Sequence, residues 1–265
     1  MECLLKRDRV ITFAGLAALC TLAWFYTASG AGLGMSAWEM TRFTLFPHLH
    51  AAAAGSASWT WATWALMILM WWIMMIAMMT PSAAPTILLY ARVQRHTAHT
   101  APGNTRLAPT AAFVAGYLLV WLGFAAVATL LHWTLERSGL VSAMMMGSRS
   151  AWLSGAVLLA AGLYQLSALK NSCLSHCRSP ASFLARHWRA GWHGALRLGA
   201  LHGAYCVGCC WLLMGLLFVG GVMNLAWIAA LAILVMIEKT LPPGLWIRRG
   251  TGIALIGWSA ATLMI

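Results

Sequence analysis

Apolar residues run through this chain in long, nearly unbroken stretches, and short segments between them collect the basic side chains. There is no strand-like alternation, and the runs are too long for buried strands. A helix that crosses a bilayer needs about 20 apolar residues. Seven runs approach that length: Val10–Ser29, Trp59–Thr80, Thr110–Leu131, Trp152–Ala168, Gly199–Val219, Met223–Ile237 and Trp246–Ile265. The sixth is short and the seventh is interrupted by glycine. The pattern predicts an all-α, polytopic membrane helical bundle of about seven transmembrane helices. Residues 1–58 would form a signal-anchor helix and an outer-face loop, and residues 59–265 a six-helix membrane domain. The first run is longer than the roughly 7–15 residues of a cleaved signal's apolar core, so it reads as an anchor.

Composition agrees. The 265 residues are 62% hydrophobic and 8% charged, against about 25% charged in soluble domains. A water-soluble globule and a disordered chain are both excluded. The net charge of +12 would suggest nucleic acid in a soluble protein, but here topology accounts for it. With seven spans, fourteen basic residues, in clusters at Lys6–Arg9, Arg92–Arg106, Lys170–Arg197 and Lys239–Arg249, fall on one side. Only Arg42, Arg137 and Arg149 fall on the other. The asymmetry predicts a cytoplasmic N-terminus in a bacterial inner membrane, with the lipid bilayer as first partner and no nucleic acid. Trp38, Trp59, Trp61, Trp133 and Trp152 near outer ends, and Trp188, Trp192 and Trp246 near inner ones, suit the two interfaces. Two loops are long. The outer one, 30–58, is expected to lie on the membrane, and the inner one, 171–197, has a basic interfacial pattern.

Candidate chemistry follows from what is scarce. Five acids, Glu2, Asp8, Glu39, Glu136 and Glu238, are too few for paired-carboxylate hydrolysis, calcium loops or Asp-dependent triads. Seven cysteines, sixteen methionines and nine histidines favour soft metals instead. Cys173, His176 and Cys177 share one helical face just past the fourth run. His202, Cys206, Cys209 and Cys210 form a stripe on the fifth, where Gly199 and Gly203 admit a close neighbour. Met70, Met74, Met75, Met78 and Met79 make two thioether strips on the second. Pro81 and Pro85 are expected to break that helix and free backbone carbonyls.

In a seven-span topology these donors share the cytoplasmic-leaflet depth. Cys173, His176, Cys177, His202, Cys206, Cys209 and Cys210 are then candidate ligands, with Met78 and Met79 auxiliary. Glu238 would stand behind the ligands or accept a proton. The plainer readings are packing for the cysteines, filler for the methionines and an ordinary ion pair for Glu238 with Lys239. His48, His50 and Met144–Met146 could collect outer-face copper, although ordinary loop is the simpler reading. His96 and His99 read as solvated loop, and Cys3 and Cys20 are assigned nothing.

Mixed thiolate, imidazole and thioether donors suit copper as Cu(I) best, zinc next and an iron–sulfur cluster least. Haem is disfavoured, because c-type attachment needs Cys-x-x-Cys-His and the chain has Cys206-Val-Gly-Cys209-Cys210. The expected function is metal handling or delivery, with other membrane subunits or a metal-carrying partner. Two further readings stay open. One is a membrane-embedded redox enzyme, or a subunit of an oxidoreductase or oxygenase complex, using the metal or the Cys206/Cys209 pair. The other is a structural subunit whose cysteines only pack.

Four blocks carry a resemblance: 78–85 with 90–93, 164–170 running into 173–180, 202–214, and 221–224 leading to Glu238-Lys239. They resemble a family of bacterial integral membrane proteins with a predicted metal-binding label and no assigned reaction. The resemblance implies a polytopic inner-membrane protein. Tyr164, Gln165, Lys170 and Asn224 belong to its blocks, with their physical roles open.

Overall fold

The computed structural model describes residues 2–31, 38, 41, 59–98, 108–143, 146–241 and 244–264. The described residues fold as α1 (Glu2–Ala28), α2 (Trp61–Ala98), α3 (Ala108–Arg137), α4 (Ala151–Leu166), α5 (Ala168–Arg178), α6 (Pro180–His187), α7 (Gly191–Gly215), α8 (Leu217–Gly220), α9 (Leu225–Thr240) and α10 (Gly244–Leu263). An isolated antiparallel bridge joins Val141 to Ser148. All seven apolar runs are therefore helical.

Four stretches are long and apolar enough to cross a membrane: Val10–Ala28, Trp61–Arg95, Ala108–Arg137 and Gly191–Gly220. The pair α4 and α5 makes a fifth if it counts as one span, bent by 65°. The bend falls at Ser167, which ends α4 and caps α5 by accepting from the Lys170 amide. α9 has only 16 residues, and α10 carries Arg248 and Arg249 near its start.

The bundle is inverted relative to a soluble protein. Phe13, Leu22, Phe25, Leu119, Val127 and Ile253 lie on the outside, whereas His132, Lys170, His202, Glu238 and Lys239 are buried. An apolar exterior with charge sequestered inside is what lipid as solvent requires.

Packing is tightest between α3 and α7. A Cβ on Gly116 would lie 2.1 Å from the Leu196 carbonyl oxygen, and one on Gly199 only 1.9 Å from that of Phe113. These two glycines, one from each helix, let the backbones touch. That contact sets Tyr117 beside Cys206.

Two expectations about local structure change. Pro81 and Pro85 do not break α2, which continues to Ala98 as one 38-residue helix. Beside the prolines, the Met79 carbonyl accepts the Ser82 hydroxyl at 2.8 Å and the Tyr117 hydroxyl at 3.2 Å, which ties this segment to α3. The inner segment 171–197 is not a loop but the rest of α5, all of α6 and the start of α7. Phe183 and Leu184 of α6 are buried, and Arg186 is exposed. The outer loop apart from residues 30, 31, 38 and 41, the residues His48, His50, His99 and Met144, and the His96 side chain lie outside the described residues.

Gly199→Val should destabilise the bundle by about 3 kcal/mol or more, because the clash is with backbone that cannot rotate away. A Cβ on Gly123 of α3 would meet nothing within 4 Å, so Gly123→Ala should be neutral or slightly stabilising. Thermal unfolding of the detergent-solubilised protein distinguishes the two variants.

Candidate metal centre

Sulfur gathers where α5 and α7 meet α9 and the proline segment of α2. Cys206, Cys209 and Cys210 sit at i, i+3 and i+4 on α7, and all three are buried. The Cys209 and Cys210 thiols donate to the Cys206 carbonyl at 3.1 and 2.8 Å. Cys177 reaches across from α5 to pair with Cys209. On the other side, Cys210 Sγ lies 3.8 Å from Met79 Sδ. The cysteines whose side chains are described are all free thiols.

A cation closes the group. Lys239 of α9 is buried, and its Nζ donates to Cys206 Sγ at 2.9 Å and to Ser82 Oγ at 3.0 Å. Tyr117 Oη contacts the same sulfur at 3.3 Å. Among the described residues no carboxylate lies within ion-pair distance of Lys239; the ion pair present joins Lys170 to Glu238. The ammonium therefore faces sulfur.

The remaining candidates divide. Cys173 lies beside Gly208 of α7, whose absent side chain makes room for the sulfur: a Cβ there would be 3.1 Å from it. His176 turns to stack on Tyr205, 4.2 Å between ring centres and 3° from parallel, with Nδ1 2.9 Å from the Ser172 carbonyl oxygen. His202 is wedged among Phe113, Tyr117 and Phe183, and its Nδ1 has no hydrogen-bond partner among the described residues. It lies one turn before Cys206 on α7, and both contact Tyr117. Met78 is buried on α2 one residue before Met79. Among the described residues no three His, Cys, Asp or Glu side chains stand together as a ready metal cage. The further donor at hand is the Met79 thioether.

Glu238 is not the partner of Lys239. Residues adjacent in a helix do not face each other, and Glu238 turns to α4 and α5. Its Oε2 accepts from Lys170 Nζ at 2.7 Å and its Oε1 from Gln165 Nε2 at 2.7 Å. Lys170 also donates to Gln165 Oε1, which closes a three-membered network. The Ser167 bend positions Lys170 for this contact. Arg178 then caps the end of α9, donating to the Glu238 and Leu241 carbonyls at 2.7 and 3.0 Å. Asn224 caps the start of α9 by accepting from the Trp227 amide at 3.2 Å. The Tyr164 hydroxyl donates to the Gly208 carbonyl.

Lys239, Tyr117 and Ser82 contact the thiol cluster, and sequence reasoning did not place them there. The helical rule for adjacent residues held the available clue for Lys239. Nothing in the spacing pointed to Tyr117 or Ser82, because both arrive from other helices.

Fold and site together define a class: an all-helical protein with membrane-length apolar helices and an interior cluster of soft sulfur donors. The chain belongs to the PpoB2 family, described as copper chaperone, whose model matches residues 68–262. The matched stretch runs from α2 into α10 and contains the four thiols, Met79, Lys239 and the Lys170–Glu238 network. Family membership is consistent with copper handling. No curated protein and no solved structure matches the chain.

Removing one partner from the buried ion pair leaves an uncompensated charge. Lys170→Met or Glu238→Leu alone should cost about 3–5 kcal/mol, and the double variant should recover most of it. A double-mutant cycle on unfolding in detergent reads the coupling.

Proposed function

We propose that the protein is a multi-pass bacterial inner-membrane copper chaperone that carries Cu(I) on the thiols of α7. The topology we propose has seven spans and a cytoplasmic N-terminus, with α9 and α10 completing the membrane domain. Cys206 and Cys210 supply the sulfurs, Met79 is the adjacent thioether, and Cys209 and Cys177 are the next thiols to which the metal can pass.

The observation that carries this reading is Lys239 Nζ at 2.9 Å from Cys206 Sγ, with no carboxylate beside it among the described residues. Charge is expensive in an apolar interior. Two thiolates and one Cu(I) sum to −1, and the ammonium returns the assembly to zero. Zn(II) on the same two thiolates would leave it at +1. Net charge and donor softness therefore select the same metal. The residues fit such a cargo without further side chains: Lys239 sets the charge, Ser82 and Tyr117 hold the ammonium and Cys206 in place, and the apolar surroundings keep water out.

Transfer uses neighbouring donors. A metal on Cys210 has the thioether of Met79 on one side and Cys209 on the other, so it can exchange one sulfur at a time. The buried thioethers of α2 supply a path along the bundle, and a metal-carrying partner or another membrane subunit receives the cargo.

Protein purified in detergent and loaded with Cu(I) under reducing conditions should retain copper, and Cys206→Ser with Cys210→Ser should lose it while remaining monodisperse. Unchanged copper content in that variant would leave these cysteines as packing residues and sink the reading. Lys239→Met should weaken Cu(I) at least tenfold in competition with a chromogenic Cu(I) chelator. It should weaken Zn(II) much less, because the lost charge no longer offsets the cuprous bis-thiolate.

A further inference from the structure

The far end of the bundle holds a buried imidazole that is not part of the thiol cluster. His132, near the end of α3, is fully buried, and neither Nδ1 nor Nε2 has a hydrogen-bond partner among the described residues. Buried polar groups are nearly always satisfied, so an imidazole with both nitrogens unpaired calls for an explanation. Its walls are aromatic: the rings of Phe218, Trp59 and Trp71 lie 5.8, 6.2 and 6.4 Å from it, centre to centre.

The loop that closes this end is also unusual. Met146 is a buried loop residue held at φ +51°, a conformation that favours glycine. Its carbonyl accepts from the Val222 amide at 3.1 Å, and the Ser148 amide donates to the Phe218 carbonyl at 2.6 Å. The loop is thus pinned against the segment whose Phe218 ring touches His132. On α2, Met67 precedes Trp71 by one turn and is buried as well.

We infer that His132 is the imidazole of a second Cu(I) site, at the end of the bundle opposite the thiols, with the buried thioethers of Met67 and Met146 as its sulfur donors. This rests on the copper reading above. His132 lies fifteen residues beyond Tyr117 on the same helix, about 22 Å along its axis, and Tyr117 touches Cys206. Between the two ends run Met67, Met70, Met74 and Met78, each three or four residues from the next and all buried. Side chains at that spacing are neighbours, with Cβ atoms about 5–6 Å apart.

The donor sets give the two ends different strengths. Imidazole and thioether are neutral, so Cu(I) at His132 keeps its full charge. At the thiols the charge is cancelled. Copper is therefore held loosely at His132 and firmly at Cys206.

The test titrates full-length protein in detergent with Cu(I) alone, anaerobically. Wild type should bind two equivalents. A variant with Ser at Cys177, Cys206, Cys209 and Cys210 should bind one, and its X-ray absorption should show nitrogen together with sulfur. Adding His132→Phe, which keeps the aromatic volume, should abolish that equivalent. If the four-serine variant binds none while wild type binds one, the His132 site falls and the thiol reading stands. If the remaining equivalent survives His132→Phe, the second site lies elsewhere and the inference is overturned. Wild type that binds no copper removes both readings. Should His132→Phe fail to fold, wild type decides. A second equivalent that adds no nitrogen scattering to the first overturns the inference, and one that adds it supports it.

Discussion

An ammonium group inside an apolar bundle must meet its counter-charge at contact distance, since neither water nor salt reaches it to screen the charge. Among the described residues two lysines are buried, and each has a different solution. Lys170 takes the carboxylate of Glu238, completed by Gln165. Lys239 takes the sulfur of Cys206. Much of the interior is arranged around that division: the Ser167 bend carries Lys170 to Glu238, and α9 presents its two adjacent charged residues to different neighbours.

The close approach of α3 and α7 serves the same end. Backbone contact at Gly116 and Gly199 brings the Tyr117 hydroxyl to Cys206 and to the Met79 carbonyl. One hydroxyl thereby links three helices at the thiols. It also fastens the proline segment of α2 to the bundle, because the Met79 carbonyl accepts from both Ser82 and Tyr117.

The metal reading gains coherence from charge rather than from a preformed cage. The thiols neighbour one another along one helix, the thioether stands beside Cys210, and the Lys239 ammonium sets the net charge that a soft monovalent ion would complete. A family described as copper chaperone fits a site built from exchangeable sulfur rather than a closed set of ligands.

Helical periodicity and apolar length were enough to read the helices and the stripe at Cys206, Cys209 and Cys210, because both follow from local geometry and from lipid as solvent. The soft-donor chemistry was likewise visible in composition. Partner choice was not. Glu238 and Lys239 are neighbours in the chain but lie on different faces of α9, so which charge meets Lys170 and which meets sulfur depends on how α9 docks. His176 looked equivalent to Cys173 and Cys177 by spacing, yet Tyr205 captures its ring. Sequence patterns fix what each helix can offer. Only the packing of one helix against another decides which offers meet, because the energy of a buried charge depends on atoms a few ångströms away that the chain brings from distant positions.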